Sequence, residues 1–121
     1  MVALTIMSLS VNTVSAGVDK PSKKWNLDYH KYTGGGSAEG SKLYSNYYFY
    51  NVKKFNVKVV NKSSHELTVK IYEKGAWFFA EKSFTVGKNK TKTYKFTTDG
   101  KDQPYYITFS APSNFTYEVY K

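Results

Sequence analysis

The 121-residue chain has no cysteine. That excludes a disulfide scaffold, thiolate metal sites and a cysteine nucleophile together. It has no arginine either, so all 18 basic residues are lysine. Arginine supplies the planar fork that reads guanine and grips phosphate in two places; lysine supplies a hydrated point charge. A nucleic-acid partner is therefore not expected. No stretch reaches the length of continuous apolar sequence that a membrane-spanning helix needs. No segment repeats, and none shows a capped 3.6-residue apolar period. The length leaves room for one ordinary domain and excludes a TIM barrel or a multidomain enzyme.

What is present is basic and aromatic. Eighteen lysines stand against 9 acidic residues, for a formal net charge of +9. Hydrophobic residues make up 40% of the chain, enough for a core. Aromatics reach 18%, with 12 Tyr, 8 Phe and 2 Trp. Aromatic residues favour strands, and exposed tyrosine offers flat faces to sugars or a lipid interface. Positive charge carried by lysine alone points to an anionic envelope: teichoic acid, anionic lipid or a phosphorylated wall precursor.

The first charged side chain is Asp19. Val2 to Val11 is apolar but too short to span a bilayer, and Val14-Ser15-Ala16 has the small-residue character of a cleavage site. Residues 1–16 therefore read as a secretion signal truncated of its positive start, leaving Gly17 to Lys121 outside the cell. The competing reading is a first strand. A secreted, cysteine-free chain rich in Lys, Asn and Tyr suits a Gram-positive bacterium. Residues 17–24 read as a loose polar arm, and residues 25–121 as a single domain.

Within that domain the apolar residues alternate. Trp25, Leu27 and Tyr29 share a face; Leu43 to Tyr50 is an aromatic strand; Phe55, Val57 and Val59 alternate with Lys54, Asn56 and Lys58. Leu67 to Glu73 follows, then a Glu73-Lys74-Gly75 turn with glycine where φ is positive. Ala76 to Ala80 and Lys82 to Val86 return, with Trp77, Phe78 and Phe79 expected in the core. Thr91 to Thr97, an Asp99-Gly100 turn, Tyr105 to Ser110 and Phe115 to Tyr120 complete the set. Thr33 to Ser41, which holds four of the eight glycines, reads as a flexible loop. Seven to eight short strands separated by turn signals predict an all-β fold, a small antiparallel β-sandwich. The N-x-[ST] triplets at Asn61, Asn89 and Asn114 are expected to mark surface turns.

Catalytic patterns are absent. There is no G-x-S-x-G elbow. The two histidines, His30 and His65, lack metal-ligand spacing, and nothing selects a carboxylate pair among Glu66, Glu73, Glu81 and Glu118. The glycines at 34–36 match no phosphate-binding motif. The expectation is no enzyme, no catalytic residue, no metal and no cofactor. Tyr44 to Tyr50, followed by Lys53 and Lys54, is the informative segment. A strand of a small antiparallel sheet does not bury both faces, so some rings meet water or a partner; alternatively the segment spans the core with its hydroxyls at the rim.

The order of several short motifs resembles the lactococcin 972 family of secreted bacteriocins. The pieces are Trp25, the run Gly34 to Gly40, Tyr44-Ser45-Asn46-Tyr47, Val59-Val60-Asn61, Gly75-Ala76-Trp77 and Val86-Gly87-Lys88-Asn89. The resemblance implies a small β-sandwich, secretion, no enzymatic activity, a target in the wall precursor lipid II, inhibition of related Gram-positive bacteria, and room for a homodimer. Tyr44, Asn46, Tyr47, Lys53, Lys54 and Trp77 are the candidate ligand-binding residues. The alternative is a cell-surface module that binds glycan or cell wall without killing.

Overall fold

The computed structural model describes residues 14–76 and 78–121. Residues 1–13 of the expected secretion signal, and Trp77, lie outside the described residues. Those described form eleven strands and no helix, and none is part of a helix long and apolar enough to cross a membrane. One sheet has five strands in the order β1 (Val14–Ser15), β3 (Tyr32–Ala38), β11 (Ser113–Tyr120), β6 (Lys54–Asn61) and β9 (Thr91–Thr97). The other follows β2 (Lys23–Asn26), β5 (Tyr47–Tyr50), β10 (Tyr105–Phe109), β7 (Leu67–Glu73) and β8 (Lys82–Val86), with β4 (Leu43–Tyr44) also paired to β10. The pairing is antiparallel except for β1 on β3 and β2 on β5, which are parallel. This is the expected β-sandwich, with more and shorter strands than the alternation resolves.

The two-residue period places the core. Phe55, Val57 and Val59 of β6, Leu67, Val69 and Ile71 of β7, and Phe115, Tyr117 and Val119 of β11 are all buried in it. Each aliphatic or phenyl side chain among them, taken from water, contributes about 1.5–3 kcal/mol. Rings lock the layers together: Phe109 of the six-stranded sheet stacks on Phe115 of the five-stranded sheet at 4.1 Å between centroids, and Phe84 stacks on Tyr94 at 5.0 Å. Lys92 and Lys95 on the edge strand β9 discourage edge-to-edge pairing with other chains.

Three local expectations change. First, the glycine-rich segment is not a loop: Gly34, Gly35 and Gly36 sit inside β3, between β1 and β11. Their missing side chains make room for others. A Cβ on Gly34 would come within 2.9 Å of the Tyr32 ring, and one on Gly36 within 2.8 Å of Leu43 Cδ1.

Second, the described residues of Ala76 to Ala80, which are Ala76 and Phe78 to Ala80, do not form a strand. Strand pairing of β8 with β7 begins at Lys82, opposite Ile71, and just before it the Glu81 N–H donates to the Ile71 carbonyl at 2.7 Å. Phe78 and Phe79 are 76% and 81% exposed, not core. Third, Asn61 is not at the surface; its side chain is buried and fully engaged.

The segment 17–24, expected to be loose, is held at both ends. Gly17 and Tyr44 exchange backbone N–H···O bonds of 3.0 and 2.7 Å. Lys23 and Lys24 pair with Tyr47 and Tyr48. Just before it, Ala16 donates its N–H to the Gly35 carbonyl at 2.7 Å, and the Asn46 amide donates to the Ser15 carbonyl. The Ala16–Gly17 bond, where the small-residue triplet predicts cleavage, thus joins a residue held by one sheet to a residue held by the other.

Candidate ligand-binding face

Strand β10 is buried along its whole length, but for two different reasons. Tyr105, Ile107 and Phe109 enter the core, while the intervening Tyr106 and Thr108 are buried on the other side of the sheet. Registry brings partners to them there: Tyr106 lies opposite Tyr72, and Thr108 opposite both Lys70 and Tyr44. Tyr72 stacks on Tyr106 at 5.1 Å and 8°, while Tyr44 and Tyr48 pack against Tyr106 at 6.0 and 5.9 Å. The outer face of the six-stranded sheet therefore carries three tyrosines packed around the ring of a fourth, Tyr106.

Lysines border this plate. Lys20 Nζ lies 5.8 Å from the Tyr106 ring, Lys42 5.2 Å from Tyr44, and Lys74 5.1 Å from Tyr48. Two adjoining shallow depressions, each of about 270 Å³, open on the face. One is lined by Lys42, Thr68, Lys70, Tyr72, Thr108 and Ser110. The other shares Lys42, Tyr72 and Thr108 and adds Lys20, Tyr44, Tyr106 and Phe78. Burial, followed by the neighbouring Tyr72, Tyr44 and Tyr48, pushes the Tyr106 phenol up to about 12. Its hydroxyl is neutral at physiological pH, so it does not cancel the lysines. Among the described residues the ion pairs are Lys31–Glu118 and Lys121–Asp28, neither of which uses a lysine of this face. The chemistry on offer is flat aromatic surface, cationic ammonium groups and threonine and serine hydroxyls, which suits a sugar bearing phosphate.

The candidate residues read from sequence are divided by the fold. Tyr44 belongs to the face. Tyr47 turns the other way and packs edge-on against Trp25 at 5.1 Å and Tyr32 at 5.5 Å, beside the core. Asn46 holds the Ser15 carbonyl. Lys53 lies in the crossover between sheets, where its carbonyl accepts the Thr98 N–H at 2.9 Å, and Lys54 opens β6 in the other sheet. Trp77 is outside the described residues. The aromatic segment itself splits by alternation: Phe49 is in the core and Tyr48 is on the face. Lys20, Lys42, Lys70, Tyr72, Tyr106 and Thr108 were missed. The period-two pattern of Leu67 to Glu73 did place Lys70 and Tyr72 outward, but only strand order shows that β10 and β4 lie alongside.

No protein-family model matches the chain, and no curated protein matches it. Among solved structures, the crystal structure of PirA is similar. The TM-score is 0.44 at 18% identity, over 75% of this chain and 90% of that chain. A likeness of this size carries no functional argument.

The histidines form no catalytic group with each other. His30 is exposed beside Tyr29 and Trp25, and His65 is exposed in the turn before β7. A different cluster emerges from the fold: carboxylate oxygens of Glu73, Glu81 and Asp99 lie within 4.8 Å of one another. Oxygen donors suit a hard cation, but three fall well short of the six to eight that calcium takes, and Glu81 and Asp99 are exposed. The cluster has a titration consequence instead. A hydrogen bond to Asp99, then burial, then the charges of Glu81 and Asp99 raise Glu73 to about 7. Its folded value thus exceeds its unfolded value of 4.5. This contribution to stability is fully present below the unfolded value and is lost as pH rises through about 7. Discounted for the solvent around these groups, it is on the order of 1 kcal/mol. The melting temperature is expected to fall by a few degrees between about pH 5 and about pH 8, with a flatter profile in Glu73→Gln. A Glu73→Gln profile identical to that of the parent would show that Glu73 does not titrate in this range.

Proposed function

We propose that the protein is a secreted, non-enzymatic binding protein that engages an anionic, sugar-bearing component of the bacterial cell envelope. The observation that carries this reading is the outer face of the six-stranded sheet, where Tyr44, Tyr72 and Tyr106 border two depressions with Lys20, Lys42 and Lys70. The tyrosine rings suit the faces of sugar rings, and the lysines suit phosphate. Lipid II, with its amino sugars and pyrophosphate, is the member of that class to which the family resemblance points. Inhibition of related Gram-positive bacteria is the consequence expected of capturing it.

The test is binding of the full chain to vesicles with and without lipid II, alongside growth inhibition of a Gram-positive panel with lipid II as competitor. Lys42→Gln with Lys70→Gln is expected to weaken binding about ten-fold and to reduce its salt dependence, since both side chains are exposed and bear on no core contact. Unchanged affinity and salt dependence in the double variant would remove this face from the interaction. Binding to wall polymer without growth inhibition favours the surface-module alternative.

A further inference from the structure

Phe78 and Phe79 stand at 76% and 81% exposure in the connection between β7 and β8. Their rings form an edge-on pair at 6.5 Å and 74°. Two adjacent exposed phenyl groups on one loop are unusual where 22 other hydrophobic side chains among the described residues are buried. Their surroundings say what kind of partner fits. Phe78 borders the depression that holds Lys20 and Lys42, and Lys74 and Lys82 flank the connection on either side in sequence. We propose that this connection is a membrane anchor, in which Phe78 and Phe79 enter the acyl–headgroup boundary of an anionic bilayer while the neighbouring lysines meet lipid phosphates.

Two features favour a bilayer over a protein partner. The apolar element is a pair of rings on a short loop, far smaller than the buried centre of a stable protein–protein interface. It adjoins cationic ammonium groups, the arrangement that binds a negative lipid surface by hydrophobic and electrostatic terms together. The acidic side chains nearest in sequence, Glu73 and Glu81, count against the lysines. They gather with Asp99 at the base of the loop, where Glu73 keeps a proton up to about 7 and so lessens the opposing charge. The inference goes beyond the proposed recognition of a wall precursor, because the anchor needs lipid alone.

The experiment uses the full chain with vesicles of phosphatidylglycerol and phosphatidylcholine containing no wall precursor. Co-sedimentation should rise with the phosphatidylglycerol fraction, and part of it should survive high salt because phenyl insertion is not screened. Phe78→Ser with Phe79→Ser should weaken binding about ten-fold or more and leave only a salt-sensitive remainder. The double variant should melt at the parent temperature, since neither ring is buried. Equal binding by parent and double variant overturns the proposal, as does a complete lack of vesicle binding by the parent. A lowered melting temperature overturns it too, by placing the rings in the fold. A protein partner captured through the rings, with no vesicle binding, assigns the surface to that partner instead. Vesicle insertion without lipid II binding leaves the anchor standing and removes the precursor reading; the reverse result does the opposite.

Discussion

Asn61→Ala is expected to lower stability by about 2–4 kcal/mol, among the largest effects of any single polar change in this chain. Asn61 is 1% exposed at the end of β6. Its amide nitrogen donates to the carbonyls of His65 at 2.8 Å, Val86 at 3.1 Å and Gly87 at 3.2 Å. Its carbonyl oxygen accepts the Ser63 N–H at 3.0 Å. One side chain thus closes the turn after β6 and ties it to the turn after β8. Truncation removes all four bonds. The His65 carbonyl keeps the Ser63 hydroxyl at 3.1 Å and the Gly87 carbonyl keeps the Lys90 N–H at 3.1 Å, so the cost falls mainly on the Val86 carbonyl and the Ser63 N–H, whose desolvation is then poorly compensated. Asn61→Asp should be at least as harmful, because it sets a carboxylate against three carbonyl oxygens. In urea unfolding the midpoint should fall at unchanged slope. A loss below about 1 kcal/mol would mean that the remaining backbone bonds, Asn61 N–H to Lys90 at 2.9 Å and Asn89 N–H to Ser63 at 3.1 Å, hold the turns unaided.

Gly35→Ala is expected to cost about 2–3 kcal/mol, while Gly40→Ala, five residues on, is expected to be neutral or slightly stabilising. A Cβ on Gly35 would lie 2.8 Å from the Phe115 carbonyl oxygen. That atom is backbone in the central strand β11, so relief requires β3 and β11 to separate along a register of seven residue pairs. At Gly40 no atom lies within 4 Å of an added Cβ, so the change only reduces the freedom of the unfolded chain. The contrast between two glycines of one low-complexity stretch separates packing from composition. Equal melting temperatures for the two variants would show that β3 tolerates displacement and that its glycines are not required by β11.

Alternation carried the sequence reading a long way. Phe55, Val57 and Val59, and Leu67, Val69 and Ile71 were placed on their buried faces by a two-residue period alone, because an antiparallel layer over a single core imposes that period. The turns at Gly75 and Gly100 were equally legible: their φ values of 89° and 146° are open to glycine and costly for other residues. Local signals failed where a residue's environment comes from elsewhere in the chain. Glycines read as a loop because glycine usually frees the backbone, yet here Tyr32, Leu43, Phe115 and Tyr117 fill the space they leave. Phe78 and Phe79 read as core because phenyl groups usually are, yet they stand exposed in the connection between β7 and β8.

The sequence by itself determined the class of the fold, the positions of most strands and the excess of lysine over acid. Tertiary structure alone decided which tyrosines meet which lysines. Tyr72, Tyr106 and Tyr44 are far apart in the chain and become neighbours only through the order β4, β10, β7. Lys53 and Lys54, close to Tyr50 in sequence, leave it because the chain crosses from one sheet to the other between β5 and β6. A strand's own residues state which face each side chain takes; they do not state which strand lies alongside, and a binding face is made by both.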